Sequence, residues 1–170
     1  PFNVIIHGDI WFNNMLFHYG KDGKDPDDIC FLDFQQVRYC SPAIDLYRTL
    51  YVLTDKETRD KSREFLLRCY HDSLGQTLHQ FGLSHEYLFP FSELETQMRK
   101  CSTYILAVSV FTLMVCLCVN EGKVLSDNEN QTFNDTFNKM RQRLSTDCRR
   151  RVLDVIEEFV VRGYIDSDFE

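Results

Sequence analysis

The chain holds 170 residues, 44% of them hydrophobic and 14% aromatic, which is enough apolar volume for a globular domain with a real core. A net charge of −7 and a pI near 5.2 exclude a general affinity for nucleic acid, whose phosphate backbone demands a basic face. Seven scattered cysteines with no CxxC pair exclude a zinc knuckle or a dithiol centre, and predict reduced thiols in the cytoplasm.

In chain order, the first apolar run is "FNVIIH", entered directly after Pro1, which reads as a piece of a longer polypeptide. Val4 to Ile6, Met15 to Phe17 and Ile29 to Leu32 are predicted strands, with "HYGKDGKDPDD" a loop by composition. This puts His7 to Asn14 on a loop and Asp33 at the end of the third strand. From Pro42 the period becomes helical, with Leu46, Leu50 and Leu53 in step. A second helix is predicted from about Lys56 to about Phe81, with Phe65, Cys69 and Leu78 on its apolar side and Gly82 as its stop.

Ser92 with Glu95 reads as a capping box for a third, long helix ending near Gly122. A polar linker follows from Asp127 to Gln131. Two more helices are predicted around Phe133 to Leu144 and around Asp147 to Val161, the last closing near Gly163. The fold class is therefore α+β, mainly α. The uncharged stretch Tyr104 to Val119 falls short of the ~20 residues that cross a bilayer, so it is expected to be a buried core helix and not a membrane span. His71, His79 and His85 lack partners at ligand spacing, and are expected at surface or half-buried positions.

The chemistry is concentrated in "HGDIWFNN", residues 7–14, and "FLDFQ", residues 31–35. Phosphoryl transfer needs a carboxylate to orient and deprotonate the attacking hydroxyl, and oxygen ligands for magnesium on the nucleotide phosphates. In kinases the base and an Asn ligand share one loop, H-x-D-x-x-x-x-N, and a second Asp follows on a later strand. His7, Asp9 and Asn14 fit that spacing without a gap, and Asp33 follows an apolar strand.

With "SPAIDLYRTLY" added, these motifs resemble the ecdysteroid kinase-like (CHK kinase-like) family, similar to choline kinases and aminoglycoside phosphotransferases. The resemblance implies the carboxy-terminal lobe of a protein-kinase-like fold, with short strands carrying the catalytic segment ahead of a helical bundle. It implies an ATP- and Mg-dependent kinase that phosphorylates a hydroxyl on a small molecule, an ecdysteroid or a choline-like alcohol. Asp9 would be the base, with His7 supporting the loop. Asn14 and Asp33 would hold magnesium and, through it, the nucleotide. Asp45 would brace the loop, Trp11 would pack within it, and Gln35 stands where protein kinases carry the glycine of "DFG".

The chain has no GxGxxG and no strand lysine ahead of residue 7. The amino-terminal nucleotide-binding lobe is thus expected to be missing from these residues, and the isolated chain to bind ATP poorly. Tyr47, Tyr51, Tyr104 and Phe111 are expected in core packing, with an acceptor pocket as the second option. Two other functions compete with a kinase. One is a non-catalytic, pseudo-kinase helical module that binds a ligand or partner. The other is a metal-dependent phosphoesterase using His7, Asp9 and Asp33, weakened by too few His and Asp ligands.

Overall fold

The computed structural model describes residues 2–120 and 144–165, together with positions 135, 138 and 142. The chain forms two compact units, residues 1–101 and residues 102–170. The fold is α+β and mainly α, as the sequence predicts.

The first unit begins with two nested antiparallel ladders. The outer one pairs β1, Val4–Ile6, with β4, Arg38–Cys40, in the register Val4↔Cys40 to Ile6↔Arg38. The inner one is a hairpin of β2, Met15–Tyr19, and β3, Pro26–Phe31, with Met15 opposite Phe31. Residues 7–14 and 32–37 therefore run side by side in the gap between two paired ladders. This nesting brings a loop near the start of the chain against a segment about two dozen residues later. The sequence reading missed β4, and it assigned to a loop residues that belong to both arms of the hairpin.

Helix α1, Ala43–Tyr47, continues into a wider π-helical turn over Arg48–Val52. Its inward side chains make the core: Ala43, Tyr47 and Tyr51 are all fully buried, with Leu50 and Val52 beside them. The Tyr47 and Tyr51 rings stack at 5.4 Å, and the Tyr47 hydroxyl donates to the Met98 carbonyl at 2.8 Å.

Helix α2, Lys56–Gln80, starts at Asp55, whose carboxylate accepts the Thr58 amide at 2.8 Å. It ends at Gly82 in the left-handed region, where the Gly82 and Leu83 amides close back on His79 and Leu78. The inward face corrects the sequence reading. Phe65 is 67% exposed and Cys69 is exposed, whereas Arg59, Arg63, Leu67, His71 and Gly75 form the buried stripe. The polar members are tolerated there because each finds a partner. Arg59 donates to the Thr54 carbonyl at 2.7 Å and lies over the Tyr51 ring, Arg63 pairs with Glu95 at 3.3 Å, and the His71 ring bonds the Phe89 carbonyl at 2.7 Å. His71 is thus a core residue and not a surface one.

Helices α3, His85–Leu88, and α4, Phe91–Lys100, complete this unit. Pro90 takes the cap position of α4, so Ser92 and Glu95 lie inside the helix and form no capping box. The long third helix of the sequence reading is two helices, with α4 ending at Lys100 and α5, Ser102–Asn120, beginning the second unit.

In that second unit, α5 packs on α6, Thr146–Val161, with Met114 at the centre of a cluster that includes Val110, Phe111, Leu144 and Val152. Ser145 caps α6 by accepting the Cys148 amide at 3.2 Å. The predicted linker at 127–131, Gly122 and most of the helix predicted around Phe133 to Leu144 lie outside the described residues. Among the described residues no single helix is long and apolar enough to cross a membrane.

Candidate active site

Loop 7–14 leaves β1 through Gly8, which sits at φ +80°. A Cβ there would run into the Gln36 carbonyl oxygen and the Arg38 guanidinium, so glycine is required both by conformation and by the close approach of the two gap segments. The two amides at this bend are tied down from α1. Asp45 Oδ2 accepts the His7 amide at 2.7 Å, and Oδ1 accepts the Gly8 amide at 2.9 Å. Both distances lie in the range of charge-assisted bonds.

The His7 ring bridges the two segments. Its Nδ1 accepts the Asp9 amide at 3.3 Å, so the proton sits on Nε2, which donates to the Leu32 carbonyl at 2.8 Å. The ring also lies 4.7 Å from that of Phe34. Leu32 in turn donates its amide to the Asn14 carbonyl at 2.9 Å. The residue directly before Asp33 is thereby bonded to both His7 and Asn14.

The five-residue spacing of Asp9 and Asn14 becomes a contact through a short 3-10 turn, Phe12–Asn14, whose Asn14 amide donates to the Trp11 carbonyl at 3.0 Å. The buried Asn14 carboxamide then donates from Nδ2 to the Asp9 carbonyl at 2.9 Å and to Asp9 Oδ2 at 3.2 Å. Trp11 is half-buried. Asp33 stands two residues beyond β3, is exposed, and adopts a left-handed backbone at φ 60°. Its Oδ2 accepts from Gln35 at 3.0 Å. No hydrogen bond links Asp33 to Asp9 or Asn14; the structure joins them through the Leu32 backbone.

One residue of this site was not singled out in the sequence. Arg48 lies one helical turn after Asp45, and its Nη1 donates to Asp9 Oδ1 at 2.7 Å. The signal was the three-residue step from Asp45 to Arg48 in "DLYR", which puts both side chains on one face. Beside this helix, burial pushes the Tyr70 phenol up to about 12, and the negative Asp45 carboxylate adds to the shift.

The donors suit magnesium. Asn14 commits its Nδ2 to Asp9, which leaves the carboxamide oxygen open to a cation, and Asp33 keeps Oδ1 beside the oxygen held by Gln35. An all-oxygen pair of this kind, completed by phosphate and water, is what a hard divalent cation takes. Among the described residues, no three His, Cys, Asp or Glu side chains gather as a metal site. A groove of about 490 Å³ lies between α2 and α3, lined by Asp72, Gly75, Gln76, His79, Ser84 and His85 among others. None of Tyr47, Tyr51, Tyr104 or Phe111 lines it; the first two are core, and Tyr104 is exposed.

A loop acid held by a carboxamide five residues on, with a second acid after the next strand pair, is an arrangement compatible with the catalytic segment of kinases. Residues 1–83 match the model of the ecdysteroid kinase-like family, which supports the resemblance read from the motifs and, at the level of that family, suggests a kinase-like phosphotransferase. No curated protein and no solved structure matches the chain.

Proposed function

We propose that this chain is the acceptor-side lobe of an ATP-dependent small-molecule kinase that transfers the γ-phosphoryl group to an alcohol. The observation that carries the reading is the Asn14 carboxamide bonded to Asp9 at both its carbonyl and its carboxylate, which orients the base and the ligand together. Asp9 takes the proton of the acceptor hydroxyl as its oxygen bonds the γ-phosphorus. The bond from that phosphorus to the bridging oxygen breaks, and its electron pair leaves with ADP. Asn14 and Asp33 would hold magnesium, which when bound neutralises charge on the transferring phosphoryl group.

His7 and Asp45 shape the loop, and Gln35 steadies Asp33. Nucleotide binding in this reading also calls for a phosphate-gripping loop, and the described residues hold no GxGxxG. The odd number of scattered thiols supports a cytoplasmic setting.

The test is magnesium-dependent ADP release with a panel of steroid and choline-like alcohols, run on the gene product that contains this chain. Asp9→Asn and Asp33→Ala should each abolish turnover. Near-parental turnover in Asp9→Asn removes the base assignment, and a protein inert toward every alcohol and inert in ATP binding favours the non-catalytic helical module.

A further inference from the structure

Arg48 has no place in the motif that names the other site residues, yet its placement is specific. The Asp9 carboxylate is held on two sides, Oδ2 by Asn14 and Oδ1 by Arg48. The Arg48 and Asp9 side chains are only 15% and 25% exposed, so the pair is largely withdrawn from water. Arg48 Nε is buried and has no hydrogen-bond partner among the described residues. An arginine kept at that cost is not simply filling space, since an apolar side chain of the same length would pack there without the unsatisfied donor. Asp45 grips the backbone of the loop, and Arg48, one turn later, grips its functional carboxylate.

We propose that Arg48 is a positioning residue that fixes the Asp9 carboxylate for proton abstraction, a role that rests on the phosphotransferase reading above. Two donors on opposite oxygens remove rotation about both side-chain torsions of Asp9. Each carboxylate oxygen keeps a second lone pair, so the clamp leaves an acceptor position for a substrate hydroxyl. Without Arg48, Asp9 is held by Asn14 alone and samples orientations that miss the hydroxyl. Misplacement of a reacting group by about 1 Å costs on the order of 100-fold in rate.

The test has two arms. On the 170-residue chain, thermal melts of Arg48→Met, Asp9→Asn and the double variant form a cycle that needs no activity. Arg48→Met should lower the melting temperature of the parent clearly and that of Asp9→Asn much less, because the partner charge is already gone. Additive shifts overturn the pairing.

On the gene product containing this chain, Arg48→Met should lower kcat about 10- to 100-fold with KM for ATP unchanged. Arg48→Lys, which keeps a cation of similar reach, should recover most of that loss; a merely structural role would give no such split or recovery. Turnover lost in Asp9→Asn but kept in Arg48→Met overturns the clamp alone. Turnover kept in Asp9→Asn overturns the base assignment, and the clamp's role with it.

Discussion

Replacing Asp45 by Asn isolates the brace that shapes the loop. The substitution keeps the side-chain volume, but it removes the charge and turns one acceptor oxygen into a donor. Asp45 accepts the His7 amide at 2.7 Å and the Gly8 amide at 2.9 Å, so the new NH₂ must face one of those two N–H groups. One charge-assisted bond becomes an ordinary one, and one amide loses its acceptor. His7 and Gly8 are both buried, so water does not compensate fully. A hydrogen bond to a charged group contributes ~1.5–3 kcal/mol, and a stranded buried donor costs ~1–3 kcal/mol. The half-buried position of Asp45 favours the lower part of these ranges, about 2–3 kcal/mol in total.

A unit of about 100 residues shifts its midpoint by roughly 4–8 °C per kcal/mol, so the expected fall is about 10–20 °C. Circular dichroism reads the melt, in the transition of the unit spanning residues 1–101. Amide hydrogen exchange reads the cause, with faster exchange at His7 and Gly8. The control is Asp60→Asn, which breaks an exposed pair with Lys56 one turn away and should cost under ~0.5 kcal/mol. If Asp45→Asn melts together with that control, Asp45 does not brace the loop.

Three other outcomes follow from the same geometry. Gly8→Ala meets both a positive φ and the Gln36 carbonyl, and should destabilise by about 3 kcal/mol or more, read as loss of folded protein in urea titration. Asp33→Gly relieves a left-handed non-glycine residue on an exposed segment; it should hold or raise the melting temperature by a degree or two while abolishing phosphoryl transfer. Tyr70 titrates at about 12 in the folded chain against 10 as a free side chain, so the native state holds a proton that the unfolded state has lost between these values. Its contribution is complete below pH 10 and declines as pH rises toward 12. Tyr70→Phe should therefore flatten the alkaline fall in stability over that window.

Local pattern made much of this chain legible. β1, β2 and β3 were readable as apolar runs, and α2 and α6 from their period and their stops. The errors arose where polar groups satisfied each other across sequence distance. Hydropathy placed Phe65 and Cys69 inward on α2, but the packed face carries Arg59, Arg63 and His71, whose partners at Thr54, Glu95 and Phe89 no periodicity reveals. β4 was missed because a strand of three residues, Arg38–Cys40, offers too little alternation to register. At the site, Asp9 and Asn14 stood out because their contact spans five residues; the Arg48 contact with Asp9 spans 39, and only the fold exposes it.

The two sides of the gap are held by different means, and this separates stability from chemistry. On the side of loop 7–14, Gly8 at φ +80° is forced by the close approach of Gln36, two amides are anchored to α1, and one carboxylate to the π-helical turn that continues it. Loss of any anchor there should disturb folding and the Asp9 carboxylate together. On the opposite side, Asp33 adopts φ 60° with, among the described residues, only the exposed Gln35 supporting its carboxylate, and its position depends on Leu32 being tied to His7 and Asn14. A strained, exposed acid that contributes little to folding is costly to retain unless its carboxylate has work to do. That asymmetry is the physical reason to expect Asp45 variants to fail in both assays and Asp33 variants to fail only in turnover.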